Sequence, residues 1–311
     1  DLLSGEVWFN ELRLSEIDGK GGWSALASID ANLADFAQIS LSGKMSTIGF
    51  GSIDKSPNQR SREELKQYGL ISSLNLGQLL PNKWEIQIPV SYSISEEFST
   101  PEYDPFFQDI KLEDRINSAT RSSQKDSIKN QAISYRKVSS INLLGVKKNR
   151  SAEQKERVYD IENFDFSYSY NQELQHDYEI ENFTKKTARV SSAYNYTFNP
   201  FVISPFKKIK FLENNKYLEW IKEFNFNPLL SSLSFDANIN RTFNSQRFRD
   251  IYIEGADSSN QIALPEIQQR NFLFDWNLSM SQNLSNSLRI DFSASNNSIV
   301  KNYFETDIFG D

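Results

Sequence analysis

Between residues 272 and 281 the chain reads FLFDWNLSMS. Phe272, Phe274, Trp276, Leu278 and Met280 fall on one parity, and Asp275, Asn277, Ser279 and Ser281 on the other, with only Leu273 out of phase. A period of two puts the two sets on opposite faces of a β-strand. The pattern recurs in WEIQIPVSYSI (84–94), FDFSYSY (164–170), LSFDANI (233–239), LRIDFSA (288–294) and WSALASIDANL (23–33). It predicts about ten strands, at 23–34, 37–47, 66–78, 84–97, 131–146, 160–174, 185–199, 230–245, 271–283 and 287–298. Most are longer than the ~5–6 residues usual in globular proteins and reach the ~9–11 needed to cross a bilayer at a tilt.

Two environments suit such strands. In a soluble sandwich the apolar parity faces a protein core; in an outer-membrane barrel it faces lipid, while the polar parity lines a wet lumen. Hydrophobic residues make up only 38% of the 311, yet there are 23 Phe and 13 Tyr. Half-polar strands produce that combination. The polar parity is mostly Ser, Asn and Gln, with Asp30, Asp165, Asp236, Asp275 and Asp291 near mid-strand and Arg289 close enough to pair with Asp291. These six are the candidate pore-lining residues. Ile88, Phe166, Phe235, Phe274, Trp276 and Phe292 are the candidate lipid- or partner-facing ones. A charge on a lipid-facing parity costs up to ~2–4 kcal/mol, and Arg241, near a strand end, is the cation expected there, snorkelling to headgroups. Trp23, Trp84, Tyr170 and Tyr196 are candidates for interfacial girdles.

Short connections near 34–36, 79–83 and 284–286 alternate with long polar stretches at 48–65, 98–130 and 246–270. This is the arrangement of an up-and-down barrel with short periplasmic turns and long outer loops. The rule is broken at 200–228, where KFLENNKYLEWIKEF has helical spacing and predicts an inserted helix. Residues 111–130 and 147–157 read as mobile charged loops. The pattern favours a transmembrane barrel and leaves a soluble sandwich or solenoid as the alternative.

Little points to chemistry. The chain has no Cys, one His (His176, read as a solvated loop residue) and a net charge of −7, which argues against thiolate metal sites, a Ser-His-Asp set or a nucleic-acid surface. No enzyme activity, metal or cofactor is expected. GFGSI at 49–53 lacks the strand-to-helix setting of a phosphate loop. The chain starts at Asp1 without a signal-peptide core, so it reads as a mature product or a segment of something longer.

The phrases EVWFNELRLSEIDGKGGWSA, LADFAQISLSGKMSTIGFGSI, NQRSREELKQYG, LPNKWEIQIPVSYSIS and PEYDPFFQDIKL, followed downstream by EFNFNPLLSSLSFDANINRTFNSQRFR, occur in an order that resembles the SprA/Sov family. This is the outer-membrane translocon of the Bacteroidota type IX secretion system. Its motif is matched at Trp8, Phe9, Asn10, Glu11 and Arg13 and at Gly21, Gly22 and Trp23.

The resemblance implies an all-β fold, an antiparallel wall segment of a very large single-chain barrel. It would pass folded cargo bearing C-terminal sorting domains through a wide hydrated pore. It also implies three protein partners: a PorV-like small barrel at a lateral gate, a periplasmic plug protein and the secreted cargo. Residues 1–22 would be the end of a preceding β-domain leading into the barrel, 23–298 the barrel strands, and 299–311 a loop or the start of the next element. A soluble cell-surface β-sandwich or adhesin, or a nutrient-uptake barrel, are the competing functions.

Overall fold

The computed structural model describes residues 21–56, 59–151, 154–207, 224–250 and 264–300. Among these are eleven strands: β1 Ser24–Leu33, β2 Ala37–Ser46, β3 Glu63–Asn75, β4 Ile86–Gln87, β5 Pro89–Pro101, β6 Ser134–Lys148, β7 Phe164–His176, β8 Ile180–Thr197, β9 Ser232–Phe248, β10 Ile267–Asn283 and β11 Arg289–Val300. Two helices, α1 Leu112–Ser118 and α2 Ser122–Ala132, lie between β5 and β6. Neither is long and apolar enough to cross a membrane.

All pairings are antiparallel and the order is β1-β2-β3-β5-β6-β7-β8-β9-β10-β11, with β4 a short spur on β6. Each strand therefore sits beside its neighbour in sequence. The ten long strands match the ten expected from alternation. They extend further, however: β8 begins at Ile180, β9 ends at Phe248 and β10 begins at Ile267. In β6 the register slips between Leu143 and Val146. Gly145 takes φ 69° there and donates its N–H to Ser167 Oγ at 2.8 Å. A side chain would be strained in that conformation, so the glycine makes the bulge possible.

The sheet has almost no interior. Among the described residues the buried hydrophobic ones are Ala37, Leu112, Ala132 and Tyr196, and two of these belong to the helices. A single meander on which no second layer packs among the described residues is not how a soluble sandwich closes its core.

The connections correct the expected alternation of short and long. At one end of the sheet, end I, lie 34–36, 76–88, 149–163, 198–231 and 284–288. At the other, end II, lie 47–62, 102–133, 177–179 and 249–266. Short and long connections occur at both ends, so loop length does not label a periplasmic side. The shortest at end II is built by Asp177, whose Oδ1 accepts the N–H of Glu179 at 2.8 Å and of Ile180 at 2.7 Å. His176, expected in a solvated loop, is the last residue of β7, half-buried with its ring 5.4 Å from that of Tyr135.

The stretch 111–130, expected to be mobile, is folded. Asp104, fully buried, pairs with Arg115 of α1 and accepts the N–H groups of Phe106 at 2.8 Å and Phe107 at 3.2 Å. The Arg115 guanidinium lies 4.6 Å over the Phe107 ring. The expected helix in 200–228 falls mainly on residues 208–223, outside the described residues. Among the described residues on either side, Ile203 and Phe226 form a bridge, with N···O distances of 2.8 and 2.9 Å. Of the expected terminal element 299–311, residues 299–300 complete β11 and the rest lies outside the described residues.

Candidate functional site: two faces of one sheet

The registers carry each strand's parity across the whole sheet. Phe166, Phe235, Phe274, Trp276 and Phe292 all fall on one face. Ile88, just ahead of β5, is in phase with Val90 of that face. Asp30, Asp165, Asp236, Asp275, Asp291 and Arg289 all fall on the other. Neighbours on the polar face hydrogen-bond one another. Asn238 Nδ2 donates to Asp275 Oδ2 at 3.0 Å, Ser93 and Ser140 hydroxyls meet at 2.7 Å, and Arg289 Nε donates to Asp291 Oδ1 at 3.0 Å. Apolar exceptions on it include Leu26, Leu65, Ile71, Val138, Phe183, Leu273 and Ile299.

On the apolar face, large side chains lie open. Ile29 is 65% exposed, Leu41 47%, Phe166 45% and Phe292 52%. They belong to one continuous surface crossing every long strand, and soluble monomers rarely leave more than a few hundred Å² of apolar surface contiguous.

The apolar band runs obliquely to the strands. One hydrogen-bonded row passes from Leu33 in β1 through Ala37, Leu74 and Val90 to Leu143, Tyr168, Val190, Ile239, Phe274 and Ser298 in β11. At β1 this row is the end I limit of the band. At β11 the band continues past it towards end I through Ala294, Phe292 and Ile290. Its displacement is about 27 Å along the strand against about 43 Å across the sheet, a tilt of roughly 30°. Strands in closed barrels tilt by ~35–45°, so the band follows nearly the line that a bilayer would draw across a barrel wall.

Towards end II the same face becomes charged, at Lys66, Glu96, Lys137, Lys186, Arg241 and Arg270. Arg241 is thus not the one cation on this parity: Lys66, Lys137 and Lys186 share it within the expected strands, and Arg270 joins them because β10 begins before its expected start. At the same level Tyr68, Phe98, Tyr135 and His176 form a row of rings on four adjacent strands, with centroids 6.0, 4.7 and 5.4 Å apart. Tyr68 Oη donates to Glu96 Oε2 at 2.7 Å, and Lys137 Nζ lies 2.8 Å from Glu96 Oε1. Sequence reading missed this row because its members are spaced by topology, not along the chain. Of the expected girdle, Trp23 and Trp84 are exposed, Tyr170 lies within β7, and Tyr196 is buried, edge-on to Phe198 at 4.7 Å.

Of the motif residues, Trp8, Phe9, Asn10, Glu11 and Arg13 lie outside the described residues. Gly21 has open space around it. Gly22 runs so close to the backbone of Ile48–Phe50 that a Cβ would overlap Phe50 N and Ile48 O. Trp23 N donates to Thr47 Oγ1 at 2.9 Å, and Thr47 N donates to Trp23 O at 2.9 Å. The glycine lets the incoming chain lie against the β2–β3 connection while Trp23 starts the first hairpin.

No curated protein matches the chain. Residues 1–116 match the family model SprA_N, described as a motility related/secretion protein. This match covers the whole N-terminal motif, the first hairpin and the strands up to β5. Over these 116 residues, somewhat more than a third of the chain, the sequence is similar to that family of motility-related and secretion proteins.

Proposed function

We propose that the described strands are a stretch of the wall of an outer-membrane, protein-conducting barrel, the translocon of the type IX secretion system. The observation that carries this reading is the apolar band: continuous over the long strands, unpacked, and inclined to the registers by roughly a barrel's tilt. Lipid can accept such a face, and only closed barrels and helices satisfy all backbone groups within it. The opposite face, rich in Ser and Asn with single Asp residues, offers passing cargo hydration and short neutral hydrogen-bonding groups that do not grip. Asp30, Asp165, Asp236, Asp275, Asp291 and Arg289 are assigned to the lumen on this reading. Ile88, Phe166, Phe235, Phe274, Trp276 and Phe292 are assigned to lipid or to a PorV-like partner barrel. A plug protein and folded cargo are the other partners, and the role is transport without covalent chemistry.

The absence of Cys makes the test direct. Asp275→Cys and Trp276→Cys are introduced separately into the intact parent protein in native membranes, after replacing any Cys elsewhere. Each is exposed to a water-soluble maleimide and to a lipid-partitioned thiol reagent. Water labelling at 275 with lipid labelling at 276 is the expected result. Silence of 276 to both reagents would mean a protein core on that face, and the reading would give way to a soluble surface β-protein.

A further inference from the structure

On the apolar face, three cations meet on adjacent strands. Lys186 of β8 pairs in register with Phe243 of β9, which pairs with Arg270 of β10, while Arg241 sits one step along β9, opposite Ala188 and Phe272. Register partners lie ~4.5–5.5 Å apart and diagonal ones ~7–8 Å, so three long side chains surround one aromatic ring. All three cations are exposed, and the Arg270 guanidinium lies 5.5 Å from the centre of the Phe243 ring.

Three further cations on this rim pair with acids: Lys66 with Glu64 at 3.0 Å, Lys137 with Glu96 at 2.8 Å, and Arg247 with Glu181 at 2.9 Å. At end I, Lys148 is matched by Glu162 at 2.6 Å. Among the described residues, Lys186 and Arg241 have no such carboxylate. Glu266, just before β10 and further towards end II, accepts a hydrogen bond from Ser245 Oγ. The cluster also stands where the apolar band ends, with Phe272 and Phe274 leading away from it along β10 into that band.

We infer that Lys186, Arg241 and Arg270 form a binding site for the phosphate of an anionic lipid headgroup. The inference rests on the membrane-wall reading above. Two guanidinium groups supply planar forks for phosphate oxygens and Lys186 a point charge. Stacking on Phe243 restrains one of the forks. The lipid, rather than free phosphate, follows from the location: a headgroup held here lays its acyl chains over Phe272 and Phe274, while the stems of the cations lie along the same apolar surface. A lipid fixed to β8–β10 would seat this part of the wall at a set depth.

The test uses the full parent protein, purified and reconstituted in nanodiscs of phosphatidylcholine with phosphatidylglycerol as the anionic lipid, with co-retained lipid measured by native mass spectrometry. Lys186→Gln/Arg241→Gln should lower retained phosphatidylglycerol roughly thirtyfold, at about the contribution expected for two basic residues near a membrane surface. Lys185→Gln/Arg189→Gln, the same charge change on the opposite face of β8, should leave it unchanged. Lys186→Gln alone should give an intermediate loss, and serves if the double variant does not assemble. Equal loss from both faces, or no loss from the first pair, overturns the site. Displacement of the lipid by inorganic phosphate alone would overturn the lipid as its ligand. Labelling at Trp276→Cys separates the two levels: lipid labelling with unchanged retention sinks the headgroup site alone, and silence at 276 sinks the wall reading beneath it.

Discussion

The ten-strand sheet and the connection at 102–133 solve opposite problems with the same residue types. In the connection, Leu112 is 2% exposed and Asp104 fully buried, so a small cluster closes on itself. In the sheet, Phe, Tyr, Ile and Leu side chains lie open along one whole face. The connection is folded by its own burial and its own ion pair. The sheet leaves its apolar side uncovered by any part of the described chain. On the proposed membrane-wall reading, the difference marks where water ends and lipid begins.

That contrast can be broken by putting a charge where lipid is expected. Trp276→Arg in the parent protein should cost about 2–4 kcal/mol in a bilayer, while Asn277→Arg, one residue on and facing the other way, should cost little. Urea unfolding from vesicles measures both, and equal costs would erase the distinction between the faces. The connection should respond to a different insult. Asp104→Ala leaves the Phe106 and Phe107 N–H groups without their acceptor and Arg115 without its partner, a loss of about 1–3 kcal/mol. Hydrogen exchange should then quicken across α1 and α2 and stay unchanged in β7–β11.

The smallest effect concerns the Lys148–Glu162 pair in the connection at 149–163. The Lys148 ammonium, donating to Glu162, holds that carboxyl below its ordinary value of 4.5. A carboxyl whose value is depressed by folding contributes fully above its unfolded value, and the contribution is lost as pH falls through the folded one. Exchange protection around Ile161–Asn163 should therefore be flat above about pH 5 and fall on further acidification. Lys148→Gln should flatten the acid limb; an unchanged limb would remove the pair as its cause.

Strand parity was legible in the sequence wherever one face is apolar and the other polar, as in FLFDWNLSMS. The signal vanishes where both faces turn polar, which is why the outer ends of β8, β9 and β10 read as loop and why Arg270 escaped notice on the apolar parity. His176 was misplaced for the same reason. The helices of 111–130 were hidden because their anchor is tertiary: Asp104 and Arg115 are eleven residues apart and meet only after the chain turns. The bulge at Gly145 had a glycine to mark it, but nothing in the sequence says which neighbour absorbs the extra residue. The six polar-face candidates share a face because parity propagates through unbroken registers. Their hydrogen-bond partners, such as Asn238 for Asp275, come from the neighbouring strand and could not be paired without the register.

The neighbour-to-neighbour order of the long strands has a kinetic consequence. When every long strand pairs with the one preceding it in the chain, each new pairing closes only the intervening connection, and the entropy of closing a loop grows slowly with its length. A sheet of this kind can lengthen one hairpin at a time from whichever pair forms first, without waiting for distant segments to find each other. The slowest additions should be β9 onto β8, across 198–231, and β6 onto β5, across 102–133. The second of these crossings carries its own folded cluster, which shortens the effective span before β6 arrives.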